Sequence, residues 1–277
     1  MSGYAEGLLV LLSINVIVAY AAFLPLAAGQ LNLGVAGFMA IGAYAAAFLS
    51  NTLGWPVFAT VGCAALASGA AGLVVGYPVL RARGIYLVLA TLAFGELVRS
   101  GLLNLDFVGG AAGYPVSGYA GYQAVAGVAL GVVAFVAWLY HTRLGLNMMA
   151  VRDDEVAAEQ FGVKVRNVKA AAFAIGALLA GIAGALYGHH FSYIEAQHFN
   201  VVQSVYIAMY VLLGGVQTVA GPLLGALFFT LIPELFRVGD TWRFVIFAVV
   251  LILTMVWRPE GLVDRDLLQR LRPGRAR

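Results

Sequence analysis

His141–Lys169 reads HTRLGLNMMAVRDDEVAAEQFGVKVRNVK and holds nine of the chain's 29 charged residues. On either side lie apolar runs, residues 121–140 and 168–190, each long enough to cross a bilayer as a helix. A charged insert between two such runs is a loop presented at one face of a membrane. The rest of the chain agrees. Of 277 residues, 62% are hydrophobic and 10% charged, with a mean hydropathy of +0.91, whereas a soluble domain carries about 25% charged residues. No single globular core hides that much apolar surface in water. The composition excludes an ordinary cytosolic or secreted domain and leaves an all-α, polytopic transmembrane bundle.

Working outward from the insert, candidate spans fall at 8–28, 33–53, 57–78, 85–103, 121–140, 168–190, 202–213, 217–236 and 242–257, so eight or nine spans are expected. The first is read as a retained span, because no basic region precedes it. Lys and Arg cluster in three places: Arg81 and Arg83; Arg143, Arg152, Lys164, Arg166 and Lys169; and Arg258 onward. Even numbers of spans separate these groups, so all three share a side, and the positive-inside rule makes that side the cytoplasm. The N-terminus is then outside and the C-terminus inside. Residues 1–257 form the membrane domain, with 141–169 a cytoplasmic loop within it, and 258–277 form a basic cytoplasmic tail. Trp55, Trp138, Trp242 and Trp257 fall near span ends, as an aromatic belt requires.

Within the insert, Asp153 or Asp154 suits a helix start, Glu155–Phe161 is rich in helix formers, and Gly162 supplies a left-handed stop. A helix of about two turns is marginal alone in water and needs a surface to pack on. That surface is either the chain's own bundle or a soluble partner, for which Val156, Phe161 and Val163 offer apolar anchors inside a charged rim.

Polar residues inside apolar runs mark a second region. Glu96 lies about 16 Å along a span that starts at Ile85, near the bilayer midplane, with Arg99 one turn further on. A charge at that depth is costly and points by default to function, against a purely structural Glu96–Arg99 pair. Thr91 sits on the same span. Gln30, Asn32 and Gly34 interrupt the run between spans one and two, and Gly214, Gly215 and Gln217 the run between spans seven and eight. Broken backbone at membrane depth is tolerated only against protein or a water-filled cavity, so these residues are candidates for a translocation path, or else turns at the inner face. Glu234 and Arg237 read as an interfacial pair. His189, His190, Glu195 and His198 cluster without a metal-site motif and read as interface residues. With no phosphate-cradling G-x-x-x-x-G-K-[ST], no nucleophile constellation and a single cysteine, the sequence carries no catalytic centre, metal or cofactor site. Nor is any basic stretch interleaved with aromatics as nucleic-acid readers require.

Five stretches, in order, resemble the membrane subunits of ABC importers for branched-chain amino acids, closest to the type with the longer central loop. They are Leu31–Ala47 (LNLGVAGFMAIGAYAAA), Gly84–Arg99 (GIYLVLATLAFGELVR), Thr142–Tyr187, Val211–Glu234 (VLLGGVQTVAGPLLGALFFTLIPE) and Trp257–Leu262 (WRPEGL). The resemblance implies a coupling helix that docks on a cytoplasmic ATPase, here Arg152, Asp153, Asp154, Glu155, Val156, Ala157, Ala158, Glu159, Phe161 and Gly162. Val156 stands where the general importer motif has Glu. The resemblance further implies a second permease subunit as heterodimer partner, two ATP-binding subunits, an extracytoplasmic solute-binding protein and a bacterial plasma (inner) membrane. The same machinery with urea or short amides as cargo, and an ion-coupled secondary transporter using Glu96, are the alternative readings.

Overall fold

A computed structural model of the chain describes residues 3–82 and 84–236, together with Val249 and Ile252. The helices are α1 (Gly3–Ala27), α2 (Val35–Leu53), α3 (Val57–Val79), α4 (Ile85–Leu103), α5 (Tyr122–Tyr140), α6 (Arg143–Asp153), α7 (Glu155–Gln160), α8 (Val165–Phe191), α9 (Val201–Gly214) and α10 (Ala220–Phe236). One two-residue strand pair, β1 (Tyr114–Pro115) with β2 (Tyr193–Ile194), runs antiparallel and joins the α4–α5 connection to the end of α8. The fold is thus all-α and of membrane type. Six of the helices, α1 to α5 and α8, are long and apolar enough to cross a membrane, and α9 and α10 are shorter apolar helices. Most of the ninth expected span, Arg237 of the Glu234–Arg237 pair, Trp242, Trp257 and the tail 258–277 lie outside the described residues.

Helix ends follow local chemistry. α1 stops after Pro25: Gln30 N donates to the Pro25 carbonyl, and Gly29 takes a left-handed φ of 77°. α2 ends at Gly54, also left-handed, and Pro56 precedes the first residue of α3.

The core is organised around α8, which packs on α1, α2 and α3. Lipid tails are as apolar as leucine, so close packing and shared hydrogen bonds hold such helices together. Accordingly the crossings use small residues. A Cβ on Gly176 would come 2.6 Å from the Ala21 carbonyl oxygen of α1, and one on Gly184 would collide with the Met39 backbone of α2. Ser68 of α3 ties the layers, its hydroxyl lying 2.9 Å from the Phe38 carbonyl and 2.7 Å from that of Ala177. By contrast α4 and α5 turn much apolar surface outward, with Leu89, Leu97, Leu130 and Trp138 all exposed, as contact with lipid or another subunit requires.

The turn at the end of α1, the α3–α4 turn, α7 and the start of α8 meet at one end of the bundle, around a cavity of about 640 Å³ lined by Arg81, Arg166 and Lys169 among others. The first two basic clusters of the sequence therefore share this basic end. At the far end, the 104–121 connection and the 192–200 segment form a cap. His189, fully buried, has its Nε2 2.8 Å from Thr60 Oγ1 and its Nδ1 3.1 Å from the Gly118 carbonyl, and His190 Nδ1 lies 2.9 Å from the Ala120 carbonyl. The expected histidine cluster is therefore split: two rings fasten the cap, while His198 lies 3.7 Å from Glu195. Among the described residues no group of three metal-ligating side chains gathers.

Candidate translocation site and docking helix

The insert folds as two helices rather than one. α6 was unexpected; Thr142 Oγ1 accepts from Gly145 N at its start. α7 is the expected short helix. Of the two candidate caps, Asp154 serves: its extended backbone turns Oδ1 onto Val156 N (2.9 Å) and Ala157 N (3.0 Å), satisfying two amides that the first turn leaves unpaired. Gly162 ends it with a φ of 82°. Lys169 of α8 pairs with Glu155. Ala158 is buried and Ala157 partly so, whereas Val156 is 67% and Phe161 88% exposed. Val163, expected as a third anchor, packs against the core instead. The outward face of α7 is therefore Glu155, Val156 and Glu159, with Phe161 just beyond its end.

Arg152 does something the sequence did not disclose. Its Nη1 donates to the Val216 carbonyl (3.1 Å) in the α9–α10 turn, while Asp153 Oδ1 accepts from its Nε and Nη2. Tyr140 donates to the Gln217 carbonyl and Tyr20 to that of Val219. Gly214, Gly215 and Gln217 thus belong to a helical hairpin turn held by α6, α5 and α1, where Gly214 and Gly221 pack backbone to backbone. The remaining path candidates lie in the 28–34 segment and on α4.

Of these, Asn32, Gly34 and Thr91 come together. Residues 28–34 are not helical, and Gln30 (2% exposed) and Asn32 are buried within the bundle. Asn32 Oδ1 accepts from Gly34 N (2.8 Å), and Thr91 Oγ1 of α4 accepts from Leu33 N (3.1 Å). α2 and α4 then cross at glycines. A Cβ on Gly34 would sit 2.5 Å from the Thr91 carbonyl oxygen, and one on Gly37 2.8 Å from Gly95 Cα. Gln30 Oε1 is buried without a hydrogen-bond partner.

One turn above Thr91, Glu96 Oε2 accepts from Arg99 Nε (2.8 Å) and lies 2.6 Å from Nη2, each side chain about a third exposed. Its other oxygen, Oε1, accepts from Val201 N (3.1 Å), the first residue of α9. Glu96 therefore caps a second helix, where the carboxylate meets the positive end of its dipole. Asn200 Oδ1 accepts from Gln203 N in the same turn, and Ser204 Oγ accepts from Ala36 N at the start of α2. Two helix N-termini, of α2 and α9, converge on the middle of α4. Since Glu96 is eleven residues into α4, α9 begins about 16 Å from the start of α4, and its 14 residues extend about 21 Å towards the basic end. Sequence reasoning missed Asn200, Val201 and Ser204. The available signal was the Asn200-x-x-Gln203 start combined with an apolar run too short to cross.

Comparison with known proteins gives consistent matches. A family model described as "Branched-chain amino acid transport system / permease component" matches residues 4–255. The chain is 31% identical to the high-affinity branched-chain amino acid transport system permease protein LivM of Salmonella typhimurium, over 90% of this chain and 67% of that protein. It is 30% identical to LivM of Escherichia coli over the same shares. The autoinducer 2 import system permease protein LsrC of Escherichia coli is 30% identical over 53% of this chain and 46% of its own length. No solved structure matches.

Proposed function

The chain belongs to the family of branched-chain amino acid transport permease components, and from that premise we propose that it is the transmembrane subunit of an ATP-driven importer of branched-chain amino acids. It is a multi-pass protein of the bacterial plasma (inner) membrane with no ATPase site of its own, so ATP is hydrolysed in separate subunits. The basic end faces the cytoplasm, in keeping with the positive-inside rule. Two ATP-binding subunits work from that side, a second permease subunit stands beside this one, and a solute-binding protein delivers cargo from outside.

A continuous mechanical chain carries this reading. Val156 and Phe161 present an apolar knob to the ATPase. Arg152, at the end of α6, grips the Val216 carbonyl at the base of α9. The other end of α9 is held by Glu96, beside Arg99, Thr91, Asn32 and Gly34. Movement of the docking helix is transmitted along α9 to the mid-membrane closure. The protein supplies two conformations, and ATP binding to the partner supplies the differential interaction that shifts between them.

Cargo varies among related permeases, since LsrC serves an autoinducer 2 import system. The deciding experiment is ATP-dependent uptake by the reconstituted complex, with labelled leucine, isoleucine, valine and urea. Leucine uptake that needs ATP and survives an uncoupler is expected. Uptake that persists without the ATPases and collapses with the uncoupler would make the protein an ion-coupled transporter instead.

A further inference from the structure

The first turn of α9 has a second neighbourhood. Beside it a cavity of about 250 Å³ opens between α1, α2, α8 and α9. Ile14, Met39 and Phe199 give it apolar walls, and Asn15, Tyr187, His198, Gln203 and Tyr210 bring polar groups. The backbone N–H of Gln203 is taken by the Asn200 cap, but its side-chain amide has no hydrogen-bond partner among the described residues. Asn15 Nδ2 donates to Thr230 Oγ1 (3.0 Å), and among the described residues no donor reaches its carbonyl oxygen. The Tyr210 ring packs on Phe229, while its hydroxyl makes no hydrogen bond among the described residues. Polar side chains within a membrane segment are costly against lipid and face the bundle interior or a water-filled cavity.

The chemistry of the lining defines the occupant. Two amides, two phenols and the His198 imidazole offer donors and acceptors, and no carboxylate, lysine or arginine lines the cavity, opposite an aliphatic and aromatic wall. That suits a molecule of zero net charge with a polar head and an apolar body. The volume lies below the 300–1,000 Å³ range of drug-sized sites, so the occupant is small. We infer that this cavity is a cargo site within the single subunit, holding one zwitterionic amino acid with an aliphatic side chain beside the Glu96–Arg99 closure. The inference rests on the import function proposed above and deepens it: the same turn of α9 would hold the cargo and, through Val201 and Ser204, the closure.

The test uses the complete complex in proteoliposomes and reads amino acids imported per ATP hydrolysed. Gln203→Met keeps the shape but removes the amide. Leu11→Trp fills the mouth from a position that is 43% exposed, so the core stays intact. Both variants should co-purify with their partners and hydrolyse ATP at the wild-type rate. Each should import leucine about tenfold less efficiently per ATP. Met39→Ala, which widens the wall, should shift the panel towards phenylalanine. Wild-type import ratios in both Gln203→Met and Leu11→Trp would overturn the site and leave a lipid-filled packing space. If Gln203→Met fails to assemble, Leu11→Trp alone decides. A wild-type complex that imports urea but no amino acid would instead overturn the cargo reading, and this ligand class with it.

Discussion

Glu96 binds three partners at once: two nitrogens of Arg99 and the first amide of α9. Gln at this position keeps an acceptor for Val201 N but loses the charge that neutralises Arg99 and favours the α9 dipole. Glu96→Gln should leave the complex assembled and cut uptake roughly 30-fold, corresponding to about 2 kcal/mol of helix-end and ion-pair interaction. Initial-rate uptake alongside co-purification checks both halves, and normal transport would remove Glu96 from the mechanism. The Glu96–Arg99 pair was legible in the sequence, because residues three apart on a helix are neighbours. Val201 was not, since a backbone amide 105 residues away leaves no mark on composition. The same holds for Arg152, whose acceptor is a main-chain carbonyl.

At the scale of single elements, most helix positions could be read directly. The expected spans at 57–78, 85–103 and 121–140 fall within a residue or so of α3, α4 and α5, because length and apolarity alone fix a spanning helix. α6 escaped because RLGLNMMAVRD mixes charge, glycine and apolar residues too evenly to stand out from a loop. α7 was found through its cap and its stop, and its six residues make it depend on both. Asp154→Ala should destabilise α7 by about 1 kcal/mol, weakening ATPase binding roughly fivefold. Phe161→Ala should weaken it more, about tenfold or beyond, if this exposed ring is a central anchor of the interface. Affinity of the detergent-solubilised permease pair for the isolated ATPase measures both, and unchanged binding in Phe161→Ala would move the interface off this helix.

For the whole molecule, the separation of tasks along the bundle matters most. In the mechanism we propose, docking occupies the basic end, the mid-membrane closure lies about 21 Å away at the other end of α9, and Arg152 joins them. Arg152→Ala should therefore disconnect one from the other. The complex should still form and hydrolyse ATP, while amino acids imported per ATP fall roughly tenfold, the worth of one charge-assisted hydrogen bond. Parallel uptake and phosphate-release assays on one batch of proteoliposomes test this; a proportional fall in both would mean that Arg152 serves docking alone. The Glu96–Arg99 pairing also has an electrical consequence. A carboxylate and a guanidinium 2.6 Å apart travel together as a neutral unit, so shifting them through the transmembrane field does almost no work, against about 2.3 kcal/mol per 100 mV for a lone charge. Import should then proceed at the same rate whether a potassium–valinomycin gradient is set positive, negative or flat, so a cell whose membrane voltage has collapsed would keep feeding for as long as its ATP lasts.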